Sequence, residues 1–168
     1  MKLILSFFLI VCLFSCEENT KNEQQTENNT TVLVSKKNIQ KLNYTDFVLD
    51  SKVKKKIQGW NKYTELEGVI LNLKQGNLSY FKENHDILEA LITDLKETIP
   101  ESVNSPSVMS RLIALDTKLY KLESVVNLSN TTSDKLIIPI KEVLVSFSNL
   151  NLQMNKKIER ESQKIQKP

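Results

Sequence analysis

The chain has 168 residues, of which 40% are hydrophobic and 26% charged, and its formal net charge is +3 at pH 7. This length suffices for one domain with a hydrophobic core, and so small a net charge gives no reason to expect nucleic acid or an acidic substrate. The three glycines and four prolines favour long helices over a turn-rich β protein.

The N-terminal residues have the features of a secretory signal. Lys2 supplies a positive charge, and residues 3–14 form an almost unbroken apolar run that ends at the small residue Ser15. A signal needs an apolar stretch of about 7–15 residues, whereas a transmembrane helix needs about 20. We therefore expect a signal peptide that is cleaved off. The alternative is an N-terminal anchor that is not cleaved.

Leu13, Phe14, Ser15 and Cys16 resemble the lipobox of bacterial lipoproteins, although Phe14 is bulkier than the residue usually found at its position. The resemblance implies cleavage after residues 1–15 by a signal peptidase that recognises Leu13, Phe14 and Ser15. It also implies acylation (palmitate among the chains) of Cys16. An ordinary cleaved signal, with Cys16 incidental, is the other interpretation.

The residues after the cysteine bear on location. Glu17 differs from the aspartate that retains enteric lipoproteins in the inner membrane, and acidic residues here resemble surface-export signals of Bacteroidota lipoproteins. We expect a lipid anchor in the outer membrane, in either the periplasmic or the surface leaflet. Two or three acyl chains would make this attachment effectively permanent, since one chain alone binds only marginally.

Residues 16–41 are predicted to form the lipidated cysteine and a flexible linker. Residues 19–31 contain no large apolar side chain, so they cannot bury enough surface to offset the entropy of ordering. A flexible linker of about 25 residues would span about 25–30 Å root mean square. The apolar residues 32–34 are the one segment of the linker that could dock on the domain.

Residues 42–168 are predicted to form an all-α domain, because apolar residues recur there at steps of 3 and 4. We expect helices near 45–75, 78–98, 106–127 and 134–163. The apolar positions of the first are Leu49, Val53, Ile57, Trp60, Tyr63, Leu66, Ile70 and Leu73, and those of the second are Phe81, His85, Leu88, Ile92, Leu95 and Ile99. Those of the third are Val108, Leu112, Leu115, Leu119, Leu122 and Val126, and those of the fourth Leu136, Ile140, Val143, Phe147, Leu150 and Met154.

Local signals mark the helix ends. Gly76 suits a left-handed residue after a helix, and Asn77 can cap the next one. Ser105 followed by Pro106 is typical of a helix start, while Pro139 either delays or kinks the last helix. Four such helices with short connections predict an antiparallel up-and-down bundle, and the alternative is three helices with the first one projecting or bent at Gly68.

Residues 109–118 and 147–155 resemble uncharacterised helical lipoproteins of Bacteroidota. The resemblance covers the last two predicted helices and includes no catalytic motif, so it implies a bacterial phylum and no activity.

His85, the one histidine, falls on the predicted apolar stripe, where it could contact a ligand or sense pH; the alternative is a boundary or internally satisfied histidine. With no second histidine and no free cysteine, we expect no metal site and no cofactor. Glu83, Asp86 and Glu89 lack the Glu-x-x-His spacing of bundle metal sites, and we interpret them as solvated charges.

Lys52, Lys54, Lys55 and Lys56 precede Trp60 and Tyr63, a pattern that could bind lipid headgroups or a polyanion. The alternative is a solvated helix face beside two core aromatics.

No nucleophile or phosphate-binding motif is present, so we expect a protein that is not an enzyme. The main hypothesis is a membrane-anchored interaction module with a protein partner in the envelope and no nucleic acid. The alternative is a helical bundle that senses a small ligand or stress, with His85 in one wall of its pocket.

Overall fold

The structure, a computed structural model, describes residues 34–163. The predicted signal, Cys16 and most of the linker lie outside them. Of the described residues 71% are helical, and none of them forms a strand, which confirms the all-α prediction. The α-helices of this part of the chain are α1 (Lys36–Gln40), α2 (Ser51–Lys56), α3 (Asn61–Lys74), α4 (His85–Glu97), α5 (Pro106–Val126) and α6 (Ser133–Ser162), and a 3-10 turn lies at Ser79–Phe81.

The four long helices, α3 to α6, form an antiparallel bundle. Two interhelical contacts join the start of one helix to the end of the next: the ion pair Lys62–Asp94 and the hydrogen-bonded pair His85–Glu123. A third contact, the ion pair Lys121–Glu142, joins the last third of α5 to the first third of α6. The most extensive contact is between α5 and α6, whose predicted apolar positions are all buried. Burial of these two facing stripes therefore supplies much of the hydrophobic driving force for the fold.

The prediction of one helix over residues 45–75 is wrong in its first half. Residues 42–50 are not helical; α2 follows as a short helix, and the chain turns at Ile57–Trp60 before α3 begins. The apolar positions predicted for this region are nevertheless all buried. The apolar periodicity therefore predicts which side chains are buried. It does not predict the backbone conformation of residues 42–50, which depends on contacts with α6.

The second predicted helix begins seven residues late, at His85 rather than at 78. Glu83 has a φ of 57°, a left-handed conformation that a helix cannot include. Its backbone N–H donates to Oδ1 of Asn127 at 3.0 Å. This contact with the end of α5 holds the turn between the 3-10 segment and α4.

Helices α5 and α6 begin and end within one residue of their predicted positions. Ser105 caps α5 through its side chain, which accepts from the N–H of Val108 at 3.3 Å, and Pro106 occupies the first turn. Pro139 lies inside α6, so the alternative of a delayed start is wrong. Lacking an N–H, Pro139 leaves one helical hydrogen bond unmade near the start of α6.

The packed domain begins earlier than the predicted boundary at residue 42. Val34 and Ile39 are buried, and α1 contacts α3 and α6. Gly76 adopts the predicted left-handed conformation, with φ of 87°, and lies directly against the Val34 backbone. Asn77 precedes Leu78, the N-cap residue of the 3-10 turn, and its Oδ1 accepts from the N–H of Ser79 at 2.9 Å.

Candidate functional site

A row of three polar side chains on α6 faces the rest of the molecule. Ser148, Asn151 and Asn155 follow one another at intervals of three and four residues, so they lie on one side of the helix. Ser148 and Asn151 are buried. Buried polar groups are stable only when they are hydrogen-bonded, and this row finds its partners in the backbone of residues 42–50, a segment that we name the strap.

Ser148 and Asn151 bind the middle of the strap. The Ser148 Oγ accepts from the N–H of Phe47 at 2.8 Å and donates to the carbonyl of Thr45 at 2.6 Å. The Asn151 Nδ2 donates to the carbonyl of Phe47 at 3.0 Å. Because all of these contacts are to main-chain atoms, α6 holds the strap in the way that a receptor holds a bound peptide.

Asn155 binds the end of the strap. Its Nδ2 donates to the carbonyl of Val48 at 2.8 Å, and its Oδ1 accepts from the N–H of Asp50 at 2.9 Å. The strap therefore runs along α6 in the same direction as the helix and delivers the chain to α2.

Asn151 also joins the strap to α3. Its Oδ1 accepts from the hydroxyl of Tyr63 at 2.7 Å, and burial raises the pKa of Tyr63 well above its usual value, so the phenol stays protonated and donates. The Tyr63 ring stacks on Trp60 and Phe147, with centroids 5.5 and 5.9 Å away. The interface between α3 and α6, which we call the seam, is thus stabilised by aromatic packing and by the Asn151 amide, which both helices and the strap share.

A cleft of ≈ 120 Å³ lies beside the strap, on the α3 side of this seam. Val48 and Leu71 line the cleft, yet 70% and 56% of their surfaces are exposed. The remaining lining residues are Asp46, Phe47, Leu49, Lys54, Glu67, Ile70, Lys74, Phe147 and Asn151. We name this feature the strap cleft. Isolated exposed aliphatic residues need no explanation, but a pair that lines one cleft marks a candidate binding surface.

The predicted basic and aromatic residues separate in the structure. Trp60 and Tyr63 are core residues, while Lys52, Lys54 and their neighbours on α2 are exposed. The alternative interpretation, a solvated lysine face beside core aromatics, describes these positions. Only Lys54 of the α2 lysines lines the strap cleft.

His85 is the first residue of α4 and does not belong to the buried stripe, because 61% of its side chain is exposed. Its Nδ1 lies 2.9 and 3.1 Å from the two carboxylate oxygens of the nearly buried Glu123. The hydrogen bond to Glu123 and the charge of that carboxylate raise the pKa of His85 above its ordinary value of 6.5. The interpretation of His85 as a boundary residue with an internal partner fits this geometry.

His85 also lines a wide surface cleft of ≈ 550 Å³, together with Glu83, Asn84, Asp86, Ile87, Glu123 and Asn127. Glu83, Asp86 and Glu89 are exposed, as expected for solvated charges. Within residues 34–163, no group of three or more His, Cys, Asp or Glu side chains is placed to hold a metal ion.

Residue patterns identified some of these positions and missed others. Ser148, Asn151 and Asn155 carry a readable signal, since polar residues repeat at helical spacing next to an apolar stripe, but the pattern does not reveal their partners. Leu13, Phe14, Ser15 and Cys16 lie outside the described residues. None of the helices in residues 34–163 combines the length and apolar character needed to cross a membrane.

No protein-family model, curated protein or solved structure matches this chain.

Proposed function

We propose that this chain is a lipid-anchored, non-enzymatic interaction module of the bacterial envelope, attached to the outer membrane through Cys16. The exposed pair of Val48 and Leu71 at the strap cleft is the observation that carries the proposal. The lining of this cleft combines apolar and charged side chains without a nucleophile and its base, which suits recognition better than catalysis.

The scaffold supports this role. The strap cleft is built on α3 and on a segment held by hydrogen bonds to α6, so its walls are ordered before a partner arrives. Preorganisation of this kind reduces the entropy lost on binding. The leader and Cys16 supply the second part of the proposal, since an anchored domain meets envelope partners at a high effective concentration.

Replacing Cys16 with alanine tests the anchor. The lipid attaches to the cysteine thiol, so Cys16→Ala should yield a chain that is released from membranes or left unprocessed. The measurements are membrane fractionation and mass spectrometry of the N-terminal peptide. An unmodified residue 16 in the native protein, or the same fractionation in both proteins, would contradict the anchor.

Site-specific photo-crosslinking tests the interaction surface. A photoreactive residue in place of Leu71 should form a discrete adduct with an envelope protein in intact cells. The same residue in place of Ile138, which is 64% exposed on α6 outside the strap cleft, is the matched control. An identical pattern from both positions would mean that the strap cleft is not an interface.

A second candidate, a small-ligand or stress sensor, is favoured by the wide cleft at His85. A ligand that binds the folded state should raise the thermal midpoint with concentration, as mass action requires. Loss of that shift in His85→Gln, with Leu71→Gln unaffected, would favour sensing over the strap-cleft module.

A further inference from the structure

The lysines of α2 form a local basic surface that the small net charge of the chain conceals. Lys52, Lys54, Lys55 and Lys56 are all exposed, and none of them makes an ion pair with another described residue. Glu161 on α6 pairs with Lys157 at 2.5 Å, and this hydrogen bond, with a smaller contribution from the charge of Lys56, lowers the pKa of Glu161. The positive charge of α2 is therefore available to an external partner.

This basic surface borders the strap cleft. Lys54 belongs to both, since it lies on α2 and lines the cleft. Among the other charged residues of the lining, Lys74 is neutralised by Asp46 at 2.6 Å, and Glu67 is the remaining carboxylate. The charges of the lining itself balance, with Lys54 and Lys74 against Asp46 and Glu67. The excess positive charge beside the cleft comes from Lys52, Lys55 and Lys56, the exposed neighbours of Lys54 on α2, and it attracts negative charge.

Exposed apolar side chains also line this cleft. Six large hydrophobic residues among positions 34–163 are at least half exposed, and two of them, Val48 and Leu71, line the strap cleft. An apolar cavity of about 150 Å³ can hold a benzene molecule. The strap cleft, at ≈ 120 Å³, suits a smaller group such as a four-carbon aliphatic side chain.

We propose that the strap cleft and the α2 lysines together bind an acidic segment of a partner protein, which inserts one large aliphatic side chain into the cleft. This inference rests on the proposed function and specifies its partner. The anchor side chain is buried among Phe47, Val48 and Leu71, and carboxylates flanking it face Lys54 and its neighbours. Aliphatic anchoring supplies affinity, while the charges supply orientation and speed of association.

The shape of this surface favours a protein segment over a lipid surface. A membrane-binding face presents a continuous apolar stripe, often with Trp or Phe, that inserts into the headgroup region. The exposed apolar residues here are two aliphatic side chains at the mouth of a concave cleft. A bilayer cannot fill such a concavity, whereas one side chain can.

Binding of a defined peptide tests the proposal. The probe is a short fluorescent peptide with one leucine between runs of glutamate, measured by anisotropy with the full chain in nanodiscs of neutral lipid. We expect saturable binding that weakens with salt, because the charge contacts are exposed. Replacing the peptide leucine with alanine should weaken binding about tenfold, the range of an anchor truncation.

Matched variants locate the site. Leu71→Gln should weaken binding about tenfold, whereas Ile138→Gln should not change it. Lys54→Glu should weaken it several-fold, whereas Lys141→Glu, which alters an exposed lysine on α6, should not. Circular dichroism melting curves show whether each variant is folded. If Leu71→Gln does not fold, the comparison of Lys54→Glu with Lys141→Glu still tests the site.

Equal weakening by the control variants, or no binding of the acidic peptide, would overturn the proposal. So would displacement of the peptide by phosphatidylglycerol vesicles, which would identify an anionic membrane as the occupant. A specific crosslink from residue 71 without binding of the acidic peptide would leave the proposed function intact and reject this inference alone.

Discussion

Asn151 shows how one side chain can organise several parts of the fold. Its amide donates to the strap and accepts from Tyr63 on α3, although the residue itself belongs to α6. A buried amide in a helical bundle destabilises the fold unless each polar atom is satisfied. Here the strap backbone and the phenol satisfy both ends, so three elements are fixed relative to one another.

Replacing Asn151 with alanine should therefore destabilise the domain more than its size suggests. The Tyr63 hydroxyl and the Phe47 carbonyl would lose their partner, and each such group costs about 1–3 kcal/mol when it is left unsatisfied. We expect a loss of about 2–4 kcal/mol in the free energy of unfolding, measured by urea denaturation.

Asn155→Ala is the control for this change. Asn155 also makes two hydrogen bonds to the strap, but these are exposed to solvent, where water replaces the lost partner. We expect a loss of at most about 1 kcal/mol. Equal losses in the two variants would show that burial of the Asn151 amide does not add to the stabilisation by its hydrogen bonds.

His85 gives the fold a specific pH dependence. Its hydrogen bond to Glu123 raises its pKa above 6.5, so the folded state binds the proton more tightly than the unfolded chain. The resulting stabilisation is complete below about pH 6.5 and is lost as the pH rises through the raised pKa. Because the chain contains one histidine, the effect can be assigned to a single residue.

NMR titration of the imidazole signals should give a pKa above 6.5 in the native protein. Glu123→Gln removes the carboxylate, so the pKa should return toward 6.5. The thermal midpoint should fall with rising pH over this range in the native protein more than in His85→Gln. A pKa at or below 6.5 in the native chain would contradict the contact.

At the scale of elements, Gly76 is the position where α3 ends and the N-terminal part of the domain docks. Its φ of 87° disfavours any side chain, and a Cβ there would meet the Val34 carbonyl oxygen. Gly76→Ala should destabilise the domain by about 1–2 kcal/mol through the backbone conformation alone. Hydrogen exchange should also increase in residues 34–41, which lose their contact surface.

Gly68→Ala provides the matched comparison. Gly68 lies inside α3, and a Cβ there has no atom within 4 Å. Alanine should stabilise α3 by about 0.5–1 kcal/mol, because glycine loses more backbone entropy in a helix. The midpoint of chemical denaturation should thus fall in Gly76→Ala and rise in Gly68→Ala. A rise in both variants would refute the packing of Val34 on Gly76.

At the scale of the whole molecule, stability depends on the common core of the four helices. Leu119 is buried on α5, whereas Ile113 on the same helix is more than half exposed. Leu119→Asp places an unpaired charge in the core and should reduce the free energy of unfolding by about 4 kcal/mol or more. That is a large share of the 5–15 kcal/mol typical of a domain.

Ile113→Asp is the control, and it should change the free energy of unfolding by no more than about 0.5 kcal/mol. Thermal denaturation followed by circular dichroism measures both variants. If Leu119→Asp kept the native melting temperature, α5 would present its leucines to solvent, and the bundle would be assembled differently.

The amino-acid sequence by itself determined the fold class, the buried face of each predicted helix and the limits of α5 and α6. Among the predicted apolar positions, His85 and Ile99 are the two that are not buried. These features follow from local physics. Steps of three and four residues place apolar side chains on one side of a helix, and Ser105 with Pro106 provides the cap and first turn of α5. The leader, Cys16 and the outer-membrane location are read from the sequence and remain predictions.

Only the tertiary structure decided the conformation of residues 42–50, the start of α4 and the position of the strap cleft. Apolar spacing predicts burial, but a buried segment can satisfy its backbone either within a helix or through another element. The choice for the strap depends on Ser148, Asn151 and Asn155, about a hundred residues away along the chain. Contacts across that separation exist only once the helices have assembled, so no local pattern could reveal them.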